Sequence, residues 1–408
     1  MKSVALLVPS FLPNIGGVEV GLHNIACSLS KLGWTPTVVA PWEHVSELKK
    51  ANWKLPYRVI PYPPKFYGLA TKFPRIGITV FSWYLALVQK MFQFDFWHVT
   101  MAWPTGCAIV QMAENSRRPI PYLIRCAGED IQKQSEIGYG LRLIPKLDEI
   151  ISKNLRKAKT LVAITDSVFE EYKKLQIPDG NIVRVPNGVP LARFRESNTN
   201  NPFRFKYEIP QDAKIVLSVG RNHPKKNYIA LIRAMEKLPS SYSQPTYLVC
   251  IGNGVSDLKM ICSSNLLPRT RFIETLSAEK DPLSESIQPE LPTQDLINAY
   301  QASDVFAFPS LTETFGIAII EAMAAELPVI VGDSDGCRDI VENGKWGLLC
   351  EPTNADQLAI LIENLLNDPA SMKKWSQKSI LRAKQFDWEI IAQNYIKIYD
   401  ESISKATA

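Results

Sequence analysis

Paired cysteines, clustered histidines, long apolar runs and blocks of like charge are all missing from this chain. Seven cysteines stand at positions 27, 107, 126, 250, 262, 337 and 350, an odd number with no Cys-x-x-Cys pair. That argues against a disulfide framework and against a zinc site, and leaves buried, reduced thiols. Only four histidines occur, His23, His44, His98 and His223, none at ligand spacing, so no metal centre is expected. The most apolar window, Ile76 to Val88, is too short to span a bilayer and is interrupted by Ser82. The leading "MKSVALLVPSF" loses its apolar run at Pro9 and is no signal peptide. The net charge of +5 is spread along the chain without a basic block, which excludes bulk nucleic-acid binding. A small anionic ligand or an acidic membrane surface suits that balance. The dinucleotide fingerprint G-x-G-x-x-G is also absent. These absences describe a soluble, cytoplasmic protein, or one that at most rests on the inner face of a membrane.

What is present is a long α/β rhythm. With 408 residues, 46% hydrophobic and 21% charged, the chain can build about two to three ordinary domains. Short apolar runs read as strands: Val4–Pro9, "PTVVAP", "YRVIPY", Phe94–Met101, Pro121–Gly128 and Lys159–Thr165. Helical patterns fall between them, such as Val18–Gly33 and Ser167–Leu175. The alternation restarts with Ala213–Gly220, Tyr228–Leu238, Thr246–Gly254, "TRFIETL", Asp304–Ser310 and Leu327–Asp333. Such alternation predicts parallel sheets with helices on both faces. We therefore expect two doubly wound domains, 1–192 and 206–386, joined by a polar linker over 193–205. A last helix, 388–408, carries Trp388, Ile391, Tyr395, Ile398 and Tyr399 at helical spacing. In doubly wound sheets ligands bind beyond the carboxyl ends of the strands, so the cleft between two such domains is the expected site.

Three stretches carry chemistry. Gly16 and Gly17 precede the first helix, where glycine lets a ligand approach the backbone and the helix start favours anions. "SVGRNHPKKN" puts Arg221, Lys225 and Lys226 just past a strand end, able to grip a diphosphate from two sides. In "LTETFGIAIIEAMAA", Glu313 lies in a loop and Glu321 in an otherwise apolar helix beginning near Gly316. That helix start suits a phosphate. Two carboxylates cannot share it, so they should serve neutral donors such as sugar hydroxyls. Glu313 could then hold a hexose and Glu321 a ribose, with the phosphates over Phe315, Gly316 and Ile317. Tyr62–Val88 mixes aromatics with Lys65, Lys72 and Arg75, and fits either a membrane or acceptor contact or a core helix beside a basic loop. Trp97, His98, Met101, Trp103 and Pro104 at a strand end suggest an acceptor-side wall.

The spacing Glu313-x7-Glu321 followed by "AMAAELPVIVGDSDG" resembles the signature of glycosyltransferase family four. "GGVE" at Gly16, "VPNGV" at Val185, Gly220-Arg221 with Lys226, "IGNG" at Ile251–Gly254 and "FDW" at Phe386 follow in the family's order. The resemblance implies a GT-B fold, two Rossmann-like domains facing across a cleft, and a retaining, nucleotide-sugar-dependent transferase. It implies that Gly16, Gly17, Gly252 and the Phe315-Gly316-Ile317 backbone border the nucleotide sugar. Arg221 and Lys226 would neutralise the diphosphate, Glu313 would hold the donor sugar and Glu321 the ribose. No metal and no cofactor is implied; a UDP- or GDP-sugar would be the donor, and a saccharide or lipid-linked molecule the acceptor. The last helix would cross back to the first domain. Ala127 departs from the pattern, standing where the family has a histidine beside the reacting sugar, while Gly128 and Asp130 match the same motif, which implies for Asp130 either a contact to donor or acceptor or the part of a helix N-cap or turn residue. Divergence, an impaired or inactive enzyme and a deliberate substitution all fit that change. An epimerase or phosphorylase on the same fold and a non-catalytic sugar-nucleotide binder are the rival readings.

Overall fold

The computed structural model describes residues 1–196, 201–238, 245–274 and 289–407. Two compact units emerge. The first includes Met1–Asn187 and the returning segment from Trp388; the second includes Gly188 onward to Asp387. The first unit thus ends at Asn187, not at 192. The reason is local: Val189 N–H donates to the Phe386 carbonyl at 2.7 Å, and Arg193 to the Pro292 carbonyl at 2.6 Å. The stretch expected as a linker contributes two short helices, Leu191–Arg195 and Phe203–Lys206, while 197–200 lie outside the described residues.

The first unit is built on a seven-stranded sheet of order β3-β2-β1-β4-β5-β6-β7. Its strands are β1 (Ser3–Leu7), β2 (Thr35–Pro41), β3 (Arg58–Tyr62), β4 (Phe96–Thr100), β5 (Tyr122–Arg125), β6 (Leu161–Ala163) and β7 (Ile182–Arg184). All neighbours run parallel, with Leu6 opposite Val38 on one side and His98 on the other. Strands covered on both faces need no polar alternation, which is why β1 and β4 read as continuous apolar runs. The second unit has six strands in the order β10-β9-β8-β11-β12-β13. They are β8 (Lys214–Val219), β9 (Thr246–Ile251), β10 (Thr270–Ile273), β11 (Val305–Phe308), β12 (Val329–Gly332) and β13 (Leu348–Cys350). The last three residues of "TRFIETL" (274–276) follow β10, and 275–276 lie outside the described residues. In each sheet the chain reverses its winding once, between β1 and β4 and between β8 and β11. Loops leaving adjacent strands on opposite faces part there and open a crevice.

The helix Trp388–Thr407 belongs to the first unit. Tyr399 is fully buried, stacked on Phe96 at 4.4 Å between centroids and edge-on to Trp34 at 5.3 Å. Its hydroxyl meets His98 Nδ1 at 2.6 Å. Burial, with Arg125 nearby, holds His98 well below the ordinary histidine pKa, so the ring stays neutral and serves as a core hydrogen-bond partner. The end of the chain is therefore a core element of the first unit. Tyr399→Ala should cost about 3–5 kcal/mol. Tyr399→Phe, which strands the imidazole nitrogen, should cost about 1–3 kcal/mol. Urea unfolding of both variants checks this, and a Tyr399→Ala protein as stable as the parent would contradict it.

Candidate active site

The crevice of the second unit lies where the loops after β8 and β11 leave the sheet. They are stitched together by backbone. The Lys225 carbonyl accepts from Leu311 N–H at 2.7 Å and from Ser310 Oγ at 2.7 Å. The β8 loop is held in turn by β9: Gly220 N–H donates to Ile251, and Asn222 N–H to Asn253, each at 2.8 Å. Gly252 sits where the two chains nearly touch. Its φ is +148°, and a Cβ there would lie 2.2 Å from the Gly220 oxygen. The β11 loop rests on glycine too. Cβ atoms at Gly332 and Gly336 would stand 2.5 Å from the Ser310 oxygen and 2.7 Å from the Glu313 oxygen, and Gly336 N–H donates to that Glu313 oxygen at 3.0 Å.

This stitching places Glu313 between two lysines. Its carboxylate pairs directly with Lys226 Nζ; Lys225 Nζ lies at 3.8 Å and Ser310 Oγ at 3.3 Å. All three charged side chains are largely buried, at 7%, 13% and 9% exposure for Glu313, Lys226 and Lys225. Burial pushes the Glu313 carboxyl up, but Lys226 and Lys225 push harder the other way and hold it below the ordinary glutamate value. Lys226 Nζ also lies over the Phe308 ring, 4.4 Å from its centroid. The two residues assigned from the sequence to sugar and to diphosphate are thus partners of one another. Lys225, read from the sequence as one of three cations past the strand end, completes the cluster. Arg221 is exposed on the same loop.

Phe315 turns inward, edge-on to Phe386 at 5.8 Å, so that only its backbone faces outward from the core. Gly316 precedes the helix Ile317–Ala324 at φ +88°, a left-handed conformation that suits glycine, and no side chain caps that helix. Ile319 N–H already donates to the Gly316 carbonyl at 2.9 Å, which leaves the Ile317 and Ala318 N–H groups without a side-chain cap and able to meet a ligand. Glu321, one turn further, is 6% exposed. Its Oε2 accepts from the Tyr300 hydroxyl at 2.9 Å. Burial pushes its pKa up to about 7, against the pull of that hydrogen bond. No ion pair to Glu321 occurs among the described residues. Tyr300, on the helix Gln294–Gln301, is the partner that sequence reasoning missed. Nothing in its local sequence marks it out.

In the first unit Gly16 precedes the helix Gly17–Lys31, which also lacks a side-chain cap. Asp130 is fully buried, and its oxygens accept three backbone N–H groups: Ala102 at 2.7 Å, Ala127 at 3.1 Å and Gly128 at 3.0 Å. It clasps the loop after β5 to the loop after β4, and so fixes where Ala127 stands. Of the five residues expected as an acceptor-side wall, four line no surface: Trp97 and His98 are fully buried because β4 lies mid-sheet with both faces covered, and Trp103 and Pro104 are buried in the turn that follows it, while Met101 is half-buried. Five cysteines are buried, two are half-buried and all seven are free; burial pushes the Cys27 thiol up to about 11. Among the described residues no cluster of three histidine, cysteine or carboxylate side chains could hold a metal, and no helix is long and apolar enough to cross a membrane.

Residues 15–193 match the model of Glycosyltransferase Family 4, and 199–382 that of the Glycosyl transferases group 1. D-inositol 3-phosphate glycosyltransferase of Thermobispora bispora is 28% identical over 61% of this chain and 57% of its own length. The chain thus spans less than two thirds of the length of the curated relatives it matches. A glycosyltransferase from Rickettsia africae superposes with a TM-score of 0.76 at 21% identity, covering 98% of each chain. Anabaena HepE, solved in complex with UDP-glucose, gives 0.72 at 17% identity, over 99% of this chain and 100% of its own. Matched in both halves and similar in fold throughout, the chain belongs to glycosyltransferase family four and has the GT-B fold.

Proposed function

We propose that the protein transfers a glycosyl group, with retention and without a metal, from a nucleotide-diphosphate sugar to a hydroxyl of a saccharide or lipid-linked acceptor in the cytoplasm or at the inner face of the membrane. UDP- and GDP-sugars are the donors to test first. The observation that carries the reading is the buried Glu313 between Lys225 and Lys226, beside an uncapped helix start. Lys225 and Lys226 flank one carboxylate here, and Arg221 stands on the same loop. A diphosphate is the natural complement. As the glycosidic bond breaks, charge grows on the departing phosphate, where Lys226, Arg221 and the N–H groups after Gly316 stabilise it best. Glu313 then has a double duty. In the free protein it balances Lys226; once phosphate takes the lysine, the carboxylate is released to accept from hydroxyls of the donor sugar. Glu321 accepts from the ribose diol. The proton of the attacking acceptor goes to the leaving phosphate oxygen. HepE, with its bound UDP-glucose, supports a nucleotide sugar as donor here.

Ala127 favours one alternative, a protein that binds nucleotide sugar but turns it over slowly. Ala127→His should raise kcat at unchanged donor affinity, as measured by product formation. A parent already as fast as the variant would remove the need for that histidine.

Lys226→Ala should weaken donor binding by roughly 10–100-fold, the worth of a charge-assisted hydrogen bond. Glu313→Gln should do the opposite to a bare nucleoside diphosphate, binding it at least as tightly while turnover falls by about 100-fold or more. Calorimetry and initial rates decide; loss of diphosphate affinity in Glu313→Gln would contradict the exchange of partners.

The raised Glu321 pKa sets two pH dependences. Ribose binding needs the ionised form, so donor affinity should rise through pH 7 and level off above it. A nucleotide sugar, esterified at both ends of its diphosphate, adds no titration of its own in that range. Folding runs the other way. The native state holds this proton from about pH 4.5 to 7 while the unfolded chain releases it, so this contribution to stability declines across that window. Glu321→Gln should lose both dependences, be more stable than the parent at pH 8 and bind donor more weakly. A parent whose donor affinity is flat from pH 6 to 8 would rule out an ionised Glu321 as the ribose acceptor.

A further inference from the structure

We propose that the solvent face of the helix Pro74–Phe92 docks the protein on an anionic lipid surface. The inference goes beyond the transfer reaction and does not depend on it.

This helix is apolar on both sides. Ile78, Phe81, Leu85 and Val88 pack into the first unit. The opposite side carries Ile76, Trp83, Leu87 and Met91, with 59%, 67%, 54% and 66% of their surface exposed. Separations of seven, four and four residues place them in one stripe, with half-buried Val80 on the same row. Helices that are apolar all round are buried in protein or in lipid, and this one is buried on a single side. A contiguous exposed stripe of this kind marks an interaction surface. Phe73, half exposed, and Tyr67 extend it at its start. They are brought there because Gly77 allows the short helix Phe66–Lys72 to pack against it: a Cβ on Gly77 would lie 2.4 Å from the Ala70 Cα.

The charge around the stripe selects the occupant. No aspartate or glutamate occurs between Glu47 and Asp95, whereas eight lysines and arginines do; outside that window acidic residues outnumber basic ones. Lys72 and Arg75 are exposed at one end of the stripe, Lys90 and Arg58 at the other. Arg58 lies over the Phe92 ring at 4.8 Å, on edge strand β3. A second copy of this chain fits poorly, because an isologous contact would set cations against cations. Nucleic acid would leave the apolar stripe without a partner. An anionic bilayer satisfies both parts, with the stripe among the upper acyl chains and the cations at the headgroups.

Co-sedimentation with vesicles tests this on the full-length protein. The parent should bind vesicles containing phosphatidylglycerol, release with salt, and bind phosphatidylcholine vesicles at least about tenfold more weakly. A Trp83→Ser/Leu87→Ser variant and a Lys72→Glu/Arg75→Glu/Lys90→Glu variant should each lose about tenfold or more in binding. Their thermal transitions should match the parent's, since the substituted side chains are exposed. Quenching of the parent's tryptophan emission by brominated phosphatidylglycerol tests the same contact without any substitution. Equal binding to both vesicle types, or undiminished binding by both variants, overturns the proposal. So does a parent dimer in sedimentation velocity that the Trp83→Ser/Leu87→Ser variant dissociates, which would assign the stripe to a second copy.

Discussion

The contact between Glu313 and the Lys225-Lys226 pair is the constraint around which the second unit is arranged. Two ammonium groups cannot be buried side by side without a counterion. Glu313 supplies one, pairing directly with Lys226 and lying 3.8 Å from Lys225. Charges held out of water act on one another and on an approaching ion more strongly than the same lysines on a solvated loop, where screening would dissipate their field. The pair also keeps the lysine ammoniums in place.

Everything that brings these groups together is backbone geometry. The strand order places β8 beside β11, and the loops that leave their carboxyl ends part on opposite faces. Close approach then requires missing side chains. Gly252 lets β9 support the β8 loop; Gly332 and Gly336 let the β11 loop settle on the following turn. The glycines near this site therefore act at one remove. Gly252, expected to border the nucleotide, also has a packing duty that follows from its φ and its nearest neighbours. Asp130 is comparable in the first unit, a carboxylate spent on three backbone donors so that the loop bearing Ala127 has one shape.

Much of this was legible beforehand, and the reason is periodicity. Fully buried parallel strands appear as unbroken apolar runs, and the helices between them as amphipathic patterns. Order along the chain then fixed which loops lie at strand ends, and so singled out Arg221, Lys226 and Glu313. Contacts distant in sequence left no such trace. The Glu313–Lys226 pair spans 87 residues and the Tyr300–Glu321 bond 21. β7 and β13, three residues each, are too short to show a pattern. Trp97 and Trp103 misled because an aromatic at a strand end looks the same whether it lines a pocket or fills a core. Only the place of β4 in the middle of the sheet tells the two apart. The Tyr62–Val88 stretch offered a core helix beside a basic loop or a surface contact; the fold packs Ile78, Phe81, Leu85 and Val88 inward and leaves Ile76, Trp83 and Leu87 exposed.

The two glutamates show how environment divides labour between identical side chains. Both are buried within one loop and one helix. Glu313 has lysines, which hold its carboxyl below the ordinary glutamate value. Glu321 has only a tyrosine hydroxyl, so burial prevails and its proton comes off near neutrality. A carboxylate that must offset charge throughout a reaction belongs in the first setting. One that accepts hydrogen bonds from a neutral diol, and gains nothing from being charged while the site is empty, can tolerate the second. The apolar helix around Glu321 has a clear physical consequence. It makes the charged form costly where only the Tyr300 hydroxyl faces it, so that under the proposed role ionisation and ribose binding would be coupled near neutrality.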